Sequence, residues 1–314
     1  MLDQVLVADS IKVLKGMPEN YVHAIISDIP YGICFDDWDV LHANTNTALG
    51  GSSSAQAMAG GVFKRRGKPL NGWSSADKRI PLEYQEWCES WAYDWLRVIK
   101  PGGTCFIFAG RRLAHRCIVA LENAGFTFKD MLAWEKNTAP HRAQRITEVY
   151  KRRGDNESAK EWEGWRVANL RPLFEPILWF QKPYITGGTL ADNILEFGVG
   201  AWNEEALVNY NCNSETSHGM IQSNILRVLV DKYDRGSHDT QKPLQLMKLL
   251  IELVTRPNDL VLDPFAGSGT TCVAAKSLHR HYIGIEINEG IGQIAKDRLV
   301  DAYPSLFPLA AEAT

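Results

Sequence analysis

The sequence predicts an α/β protein with a doubly wound, mostly parallel sheet. Short apolar runs typical of buried strands alternate with stretches of helical periodicity, and one of these strands leads through a glycine-rich turn into a helix. The 314 residues are enough for one large core, or for a core with a small added module.

The first third of the chain begins with a strand, a helix and a second strand. Apolar runs occupy residues 4–8 and 22–28, and residues 10–17 between them fit one amphipathic helix. Residues 41–80 are rich in Gly, Ser, Ala and Asn and keep no period, so we expect a long loop there.

Regular periodicity returns with Tyr84, Trp87, Trp91, Trp95 and Val98, which share one helical face. We interpret this aromatic stripe as part of the core. The Lys-Pro-Gly-Gly sequence that follows is expected to close the helix as a turn.

The rest of the middle third contains predicted core elements and two irregular stretches. A charge-dense insertion at 137–170 and a Gly- and Asn-rich stretch at 185–236 are candidates for recognition elements rather than core. The core elements predicted here are a strand at 104–110, a helix at 112–125, and strands at 126–133 and 173–180.

The last third has the clearest pattern of alternating elements, which implies parallel pairing. Its predicted elements are a helix at 243–255, a strand at 260–263, a helix that ends near residue 278, a strand at 282–286 and a final helix.

Charge is distributed unevenly along the chain. A formal net charge of −3 argues against a polyanionic partner unless basic residues are concentrated locally. Two stretches are basic, and each is either a nucleic-acid contact or a solvated surface. The candidate contact residues are Lys64, Arg65, Arg66, Arg142, Arg145, Arg152 and Arg153.

The 6 cysteines are scattered and show no metal-ligand spacing, so we expect neither disulfides nor a metal site. No run approaches the roughly 20 apolar residues needed to span a bilayer, and the first residues lack a signal-peptide pattern. We therefore expect a cytoplasmic protein without membrane contact.

Residues 263–271, Asp-Pro-Phe-Ala-Gly-Ser-Gly-Thr-Thr, join a predicted strand to a predicted helix. Gly267 and Gly269 allow the backbone to turn sharply and approach a ligand at the helix N-terminus. The next strand ends in Glu286, where a carboxylate can accept hydrogen bonds from both hydroxyls of a ribose. The dinucleotide fingerprint's third glycine is missing, which favours S-adenosylmethionine over NAD. A purely structural turn is the competing interpretation.

Residues 28–32, Asp-Ile-Pro-Tyr-Gly, close the second strand, and they can face the same cleft as the glycine turn. The Asp28 carboxylate and the Ile29 carbonyl could each accept an N–H from the exocyclic amine of a base, draining charge as a methyl group arrives. Pro30 restricts the backbone, and Tyr31 offers a stacking face for an extruded base. The absence of a Pro-Cys nucleophile element fits amino methylation. A plain proline turn is the other interpretation.

With these two turns in this order, the chain resembles the beta class of DNA amino-methyltransferases. Residues 238–243, His-Asp-Thr-Gln-Lys-Pro, resemble the element that opens the helix before the glycine turn and lines the methionine end of the cofactor pocket. A helix N-cap is the simpler interpretation of that element. The resemblance covers most of residues 1–38, 81–135, 170–184 and 238–302.

The resemblance implies a circularly permuted S-adenosylmethionine-dependent methyltransferase sheet of seven strands, one of them antiparallel. Residues 1–184 would form the catalytic part, with 41–80 and 137–170 as inserted DNA-contacting loops. Residues 185–236 would form a target-recognition region, and 237–314 the cofactor-binding part of the same domain.

The resemblance also implies the site residues. Ile29 departs from the usual Asp-Pro-Pro-Tyr pattern, but that position acts through its carbonyl, so we expect activity to survive. The implied catalytic residues are Asp28, Ile29, Pro30 and Tyr31. The implied cofactor-binding residues are Asp9, His238, Thr240, Gln241, Lys242, Asp263, Phe265, Ala266, Gly267, Ser268, Gly269, Thr270 and Glu286.

The resulting hypothesis is a base-flipping transfer of a methyl group from S-adenosylmethionine to adenine N6 in double-stranded DNA. Within the family, Asp at the position of Asp28 favours adenine over cytosine N4. The alternatives are cytosine N4 transfer, RNA amino methylation, an NAD-linked oxidoreductase and a DNA-binding protein without catalysis. Relatives are often homodimers. The sequence does not decide between a cognate restriction endonuclease as partner and a solitary or phage-borne enzyme, and it does not give the target sequence.

Overall fold

The computed structural model describes most of the predicted elements; the described residues are 2–31, 48–49, 65–66, 75–136, 144–167, 170–210, 223–228 and 241–302. The strands are β1 (Gln4–Val7), β2 (Val22–Asp28), β3 (Ala48–Leu49), β4 (Arg65–Arg66), β5 (Ile99–Phe108), β6 (Thr127–Glu135), β7 (Gln144–Arg145), β8 (Arg166–Val167), β9 (Phe174–Gln181), β10 (Ile225–Leu226), β11 (Leu260–Asp263) and β12 (His281–Glu286). The helices are α1 (Ser10–Lys15), α2 (Ser75–Val98), α3 (Ala114–Ala124), α4 (Ile146–Arg152), α5 (Asn156–Glu161), α6 (Leu190–Phe197), α7 (Glu204–Asn209), α8 (Leu244–Val254), α9 (Thr270–Ser277) and α10 (Glu289–Asp301).

One sheet organises the fold, with the strand order β1-β12-β11-β2-β5-β9-β6-β10. Its strands are parallel except β9, which runs antiparallel to both β5 and β6. This confirms the mostly parallel, doubly wound sheet with one antiparallel strand. The expected seven strands are joined by an eighth, because the two residues of β10 pair with β6 at the edge, where Ile225 lies opposite Ala133.

The sheet separates two hydrophobic cores, as expected for strands buried on both faces. Alternation along the strands divides the side chains: Ile25 and Ile107 face the core formed with α1, α2 and α3. Ala24 and Phe106 face the core formed with α7, α8, α9 and α10. In the described ranges, no helix combines the length and apolar character required to cross a bilayer.

Helix α2 begins earlier than the sequence predicted. The expected irregular stretch ended at residue 80, but the helix starts at Ser75 and has Pro81 inside it. Ile80 is buried and belongs to the same core as Tyr84, so the apolar face of the helix continues upstream of the proline. The prediction of a loop was wrong for residues 75–80.

The Lys-Pro-Gly-Gly segment is part of strand β5 rather than a separate turn before it. Val22 pairs with Ile99, and Ala24 pairs with Thr104. One residue of β2 therefore lies opposite several residues of β5, which form a bulge. Gly102 adopts the left-handed φ of +78° that this bulge requires. The predicted strand start at residue 104 was therefore too late.

Part of the weakly periodic stretch at 185–236 packs against the core. The buried Asn193 of α6 donates a hydrogen bond of 3.0 Å to the Pro101 carbonyl. The Tyr210 hydroxyl donates to Glu252 of α8 at 3.0 Å. Residues 190–210 thus support the sheet, and a role in DNA recognition for the rest of the stretch stays a prediction.

Candidate active site

The two predicted turns emerge side by side at the carboxyl edge of the sheet. Strands β2 and β11 are parallel neighbours, with Ile25 opposite Leu262. Asp28 ends β2 and Asp263 ends β11. Because parallel neighbours end at the same edge, residues far apart in the chain meet there.

Both turns line one cavity of about 330 Å³. Ile29, Tyr31 and Gly269 are not among its lining residues, and His238 and Thr240 lie outside the described residues. The predicted site residues that do line it are Asp9, Asp28, Pro30, Gln241, Lys242, Asp263, Phe265, Ala266, Gly267, Ser268, Thr270 and Glu286.

The two glycines of the turn have different physical roles. Gly267 has a φ of +53°, and a Cβ atom there would meet nothing within 4 Å, so its surface is open to the cavity. Gly269 has a φ of +79°, and a Cβ atom there would lie 2.8 Å from the Cβ of Ala295 in α10. Gly267 thus leaves room for a ligand, whereas Gly269 is required by helix packing.

Asp263 fixes the glycine turn to the sheet. Its carboxylate accepts hydrogen bonds of 2.6 Å from the hydroxyls of Ser27 and Thr271, and one of 3.2 Å from the Phe265 amide. Burial raises its pKa to about 6, although the hydrogen bonds from Ser27 and Thr271 act in the opposite direction. The Asp263 side chain therefore holds strand, turn and helix together at the cavity.

Glu286 and Asp9 stand at neighbouring strand ends on the other side of the cavity. The Glu286 carboxylate accepts from the amides of Gly267 at 2.9 Å and Asn288 at 2.8 Å, which orients it. Asp9 caps α1 by accepting from the Ile11 amide at 2.9 Å. Because β1 pairs with β12, with Val7 opposite Glu286, Asp9 lies near Glu286.

The aromatic stripe of α2 forms a wall of the cavity as well as core. Trp91 and Trp95 are fully buried, which confirms the core prediction for them. Trp87 and Trp91 also line the cavity, with ring centroids 5.6 and 6.1 Å from that of Phe265. The helical spacing showed that these rings share a face, but it did not show that the face meets the glycine turn.

Asp28 is engaged by two neighbouring side chains. Lys242 lies 2.5 Å from Oδ2 of Asp28, and the Tyr31 hydroxyl lies 3.0 Å from Oδ1. Burial raises the pKa of Asp28, and the nearby charge of Lys242 works against that rise. The backbone of the turn is fixed by the Tyr84 hydroxyl, which donates to the Pro30 carbonyl at 3.1 Å.

The structure adds Glu175 and Lys136 to the polar cluster around Asp28. Glu175 stands near the amino end of β9, and because β9 is antiparallel, this end lies at the carboxyl edge of its parallel neighbours. It accepts from the Tyr31 hydroxyl at 2.5 Å and from Lys136. Burial alone would raise the pKa of Glu175, but the ammonium groups of Lys242 and Lys136 outweigh it and hold the pKa at about 2.

The predicted DNA-contact residues are only partly described. Arg145, Arg152 and Arg153 are exposed in a small unit in which the β7–β8 ribbon flanks α4 and α5. Trp162 and Trp165 are exposed in the same unit, with ring centroids 5.4 Å apart. Arg65 and Arg66 form β4, of whose side chains nothing is described, and Lys64 and Arg142 lie outside the described residues.

The cavity fits S-adenosylmethionine. Its volume is in the range of small-molecule sites, and its lining combines the aromatic rings of Trp87 and Phe265 with the open backbone at Gly267. The carboxylate of Glu286 is oriented at one side, where it could accept hydrogen bonds from a ribose. Fold and cavity together place the chain in the class of S-adenosylmethionine-dependent methyltransferases.

Comparisons with known proteins identify the family. A family model described as DNA methylase, of the N6/N4 type, matches residues 22–297. The chain is 62% identical to the type II methyltransferase M.HindIII of Haemophilus influenzae, covering 95% of this chain and 96% of that protein. The chain belongs to this DNA methylase family, and it is an S-adenosylmethionine-dependent DNA methyltransferase.

Solved structures with lower identity share the fold. The PvuII DNA methyltransferase, which is cytosine-N4-specific, gives a TM-score of 0.58 at 15% identity and covers 94% of this chain and 85% of its own. TTHA0409 of Thermus thermophilus, crystallised with S-adenosyl-L-methionine, gives 0.57 at 19% identity and covers 96% of this chain and 95% of its own.

Proposed function

We propose that this DNA methyltransferase modifies adenine N6 in double-stranded DNA, with Asp28 as the central catalytic residue. The observation that carries the proposal is that Asp28 and Gly267 line one cavity, although the first lies near the start of the chain and the second in its last third. When bound, S-adenosylmethionine supplies an electrophilic methyl group on a sulfonium.

Asp28 and the turn after it would activate the target amine. An exocyclic amine is a weak nucleophile because its lone pair is delocalised into the ring. The Asp28 carboxylate and the Ile29 carbonyl would each accept one N–H, which concentrates electron density on the nitrogen. Asp28 then accepts the one proton that the nitrogen loses when the N–C bond replaces the S–C bond. The pKa of Asp28, raised by burial, suits this proton transfer.

The other predicted residues would position the two reactants. Pro30 limits the backbone of the turn, and Tyr31 would stack on the extruded base. Gly267 and the turn around it would hold the cofactor, with the Glu286 carboxylate on the ribose. Most of the catalysis would then come from positioning and from acceptors that are already in place.

DNA binding is assigned to the two basic stretches of the chain. Arg145, Arg152 and Arg153 are exposed in the same small unit, which suits contact with phosphates. The inserted stretches, which are 137–170 and the part of 41–80 that precedes α2, would carry most of these contacts. Target choice would come from these loops and from the part of 185–236 beyond α7.

Partners and location follow from the proposed reaction. M.HindIII is a type II methyltransferase, and we propose for this chain a cognate restriction endonuclease whose sites it methylates. We place it in the cytoplasm, where the DNA of a bacterium or an infecting phage is found. A homodimer is the assembly proposed for it.

The experiment that tests the adenine assignment is a nucleoside analysis. DNA is methylated by the purified protein with labelled S-adenosylmethionine, digested to nucleosides and analysed by mass spectrometry. N6-methyladenine is expected. N4-methylcytosine would overturn the choice of base while keeping the chemistry, and label in RNA alone would overturn the choice of nucleic acid.

A further inference from the structure

A buried polar cluster stands behind the reactive edge of Asp28 and includes a residue with no assigned role. We call it the Glu175 network, and its members are Asp28, Tyr31, Lys136, Glu175 and Lys242. Glu175 is only 8% exposed, and it is not among the residues that line the cavity. Its contacts are instead with Tyr31, Lys136 and Lys242, so we consider its effect on methyl transfer through these neighbours.

The Tyr31 hydroxyl has one proton and two carboxylates within reach. It lies 2.5 Å from Oε1 of Glu175 and 3.0 Å from Oδ1 of Asp28. Burial, with the charges of Asp28 and Glu175, raises the pKa of Tyr31 well above its ordinary value, so the hydroxyl keeps its proton. Because one proton can be donated along one line at a time, the two carboxylates compete for it, and the shorter distance favours Glu175.

Lys242 connects the same two carboxylates. Its ammonium lies 2.5 Å from Asp28 and 3.0 Å from Glu175, and it also donates to the Tyr31 oxygen at 3.1 Å. Burial alone would lower the pKa of Lys242, but the two carboxylates outweigh it, so the ammonium stays charged. With Lys136 on the other oxygen of Glu175, two positive groups balance two negative ones.

We propose that Glu175 is a positioning residue for methyl transfer. It accepts the hydrogen bond of the Tyr31 hydroxyl and shares the Lys242 ammonium with Asp28. Oδ1 of Asp28 is thereby left open to the target amine. If the Tyr31 hydroxyl donated to Oδ1 of Asp28 instead, one acceptor site of that oxygen would already be occupied before the target amine arrives. Oδ1 would also be less basic. The same contact fixes the far end of the Tyr31 ring. The inference rests on the proposed role of Asp28.

The test is the substitution Glu175→Gln, which keeps the size of the side chain and removes its charge. An amide oxygen is a weaker acceptor than a carboxylate, so the Tyr31 proton should move to Asp28. The negative charge of Glu175 raises the pKa of Asp28, so its loss lowers that pKa. We expect the single-turnover rate of methyl transfer to fall about 10- to 100-fold. In the pH–rate profile, the acid limb, where the rate falls because Asp28 is protonated, should move to lower pH. The dissociation constant of S-adenosylmethionine, measured by calorimetry, should change less than about 3-fold.

The matched control is Glu135→Gln on the neighbouring strand β6. Glu135 is exposed and pairs with Arg227 at 2.8 Å, so its loss should change neither the rate nor the pH profile. A double-mutant cycle separates positioning from a structural role. In a Tyr31→Phe background, which lacks the shared proton, Glu175→Gln should lower the rate far less than it does in the wild type.

Two outcomes would overturn the proposal. In the first, Glu175→Gln has a normal rate and the acid limb of its pH–rate profile does not move. In the second, Glu175→Gln lowers the rate equally in the wild type and in the Tyr31→Phe background. If Glu175→Gln does not fold, the double variant Lys136→Gln, Glu175→Gln removes one charge of each sign and takes its place in the same assays. A wild-type protein that transfers no methyl group would instead refute the proposed function, so the two failures are distinguishable.

Discussion

The two glycines of the cofactor turn offer a paired test of what each one does. Replacing Gly269 by Ala forces a left-handed φ of +79° on a residue with a side chain, which costs about 1–2 kcal/mol. The new methyl group would also lie 2.8 Å from the Cβ and 3.2 Å from the Cα of Ala295, so α10 has to shift. Overpacking of this kind costs about 1–3 kcal/mol more.

The predicted loss for Gly269→Ala is therefore about 3 kcal/mol, or a Tm lowered by roughly 4–6 °C. Gly267→Ala bears only the backbone cost, because its Cβ atom would meet nothing within 4 Å, and its Tm should fall by roughly 2–3 °C. That methyl group would enter the space left for the cofactor, so affinity for S-adenosylmethionine should fall about 10-fold or more.

The assays are thermal unfolding without cofactor, since a ligand would stabilise the folded state, and calorimetric binding well below both Tm values. Gly269→Ala should retain most of its affinity for the cofactor, and Gly267→Ala most of its stability. The reasoning is refuted if the pattern is reversed, with Gly267→Ala the less stable protein and Gly269→Ala the weaker binder.

Two further predictions concern DNA binding and pH. Replacing Arg152 and Arg153 by Ala should reduce the slope of log affinity for DNA against log salt concentration by about 2. The control Lys296→Ala should leave that slope unchanged. Fluorescence anisotropy across a range of salt concentrations measures the slope. Burial raises the pKa of Asp263 from 3.8 to about 6, so the folded state binds its proton more tightly than the unfolded chain does. The wild type should lose about 2 kcal/mol of stability relative to Asp263→Asn as the pH rises from 4 to 7, measured by urea unfolding, and parallel curves would contradict this.

The sequence predicted the parts of the site that are formed by short continuous segments of the chain. Strand β11 is buried along its whole length, so its apolar run, its terminal Asp263 and the glycine turn could be located directly. The turn at Asp28 follows a similar buried strand. That the two turns meet in one cleft could be predicted from the rule that parallel strands end at one edge, together with the family resemblance.

The residues that the sequence did not reveal are those placed by sheet register or by packing between elements. Glu175 is one acid within an apolar run, and only the antiparallel direction of β9 brings it to the edge where Asp28 ends. Its partner Lys136 follows the end of β6, whose pairing with β9 no local pattern specifies. Likewise, the contact of Trp87 with Phe265 depends on how α2 lies over the turn.

The central claim is that Asp28 activates the nitrogen that receives the methyl group, and the most direct measurement compares chemistry with cofactor binding in Asp28→Ala. Lys242 keeps Glu175 as a partner at 3.0 Å in this variant, so the fold should survive. We predict that single-turnover transfer to DNA falls by at least about 100-fold, while the dissociation constant of S-adenosylmethionine stays within about 3-fold of the wild type. Transfer at a rate close to that of the wild type would contradict the account.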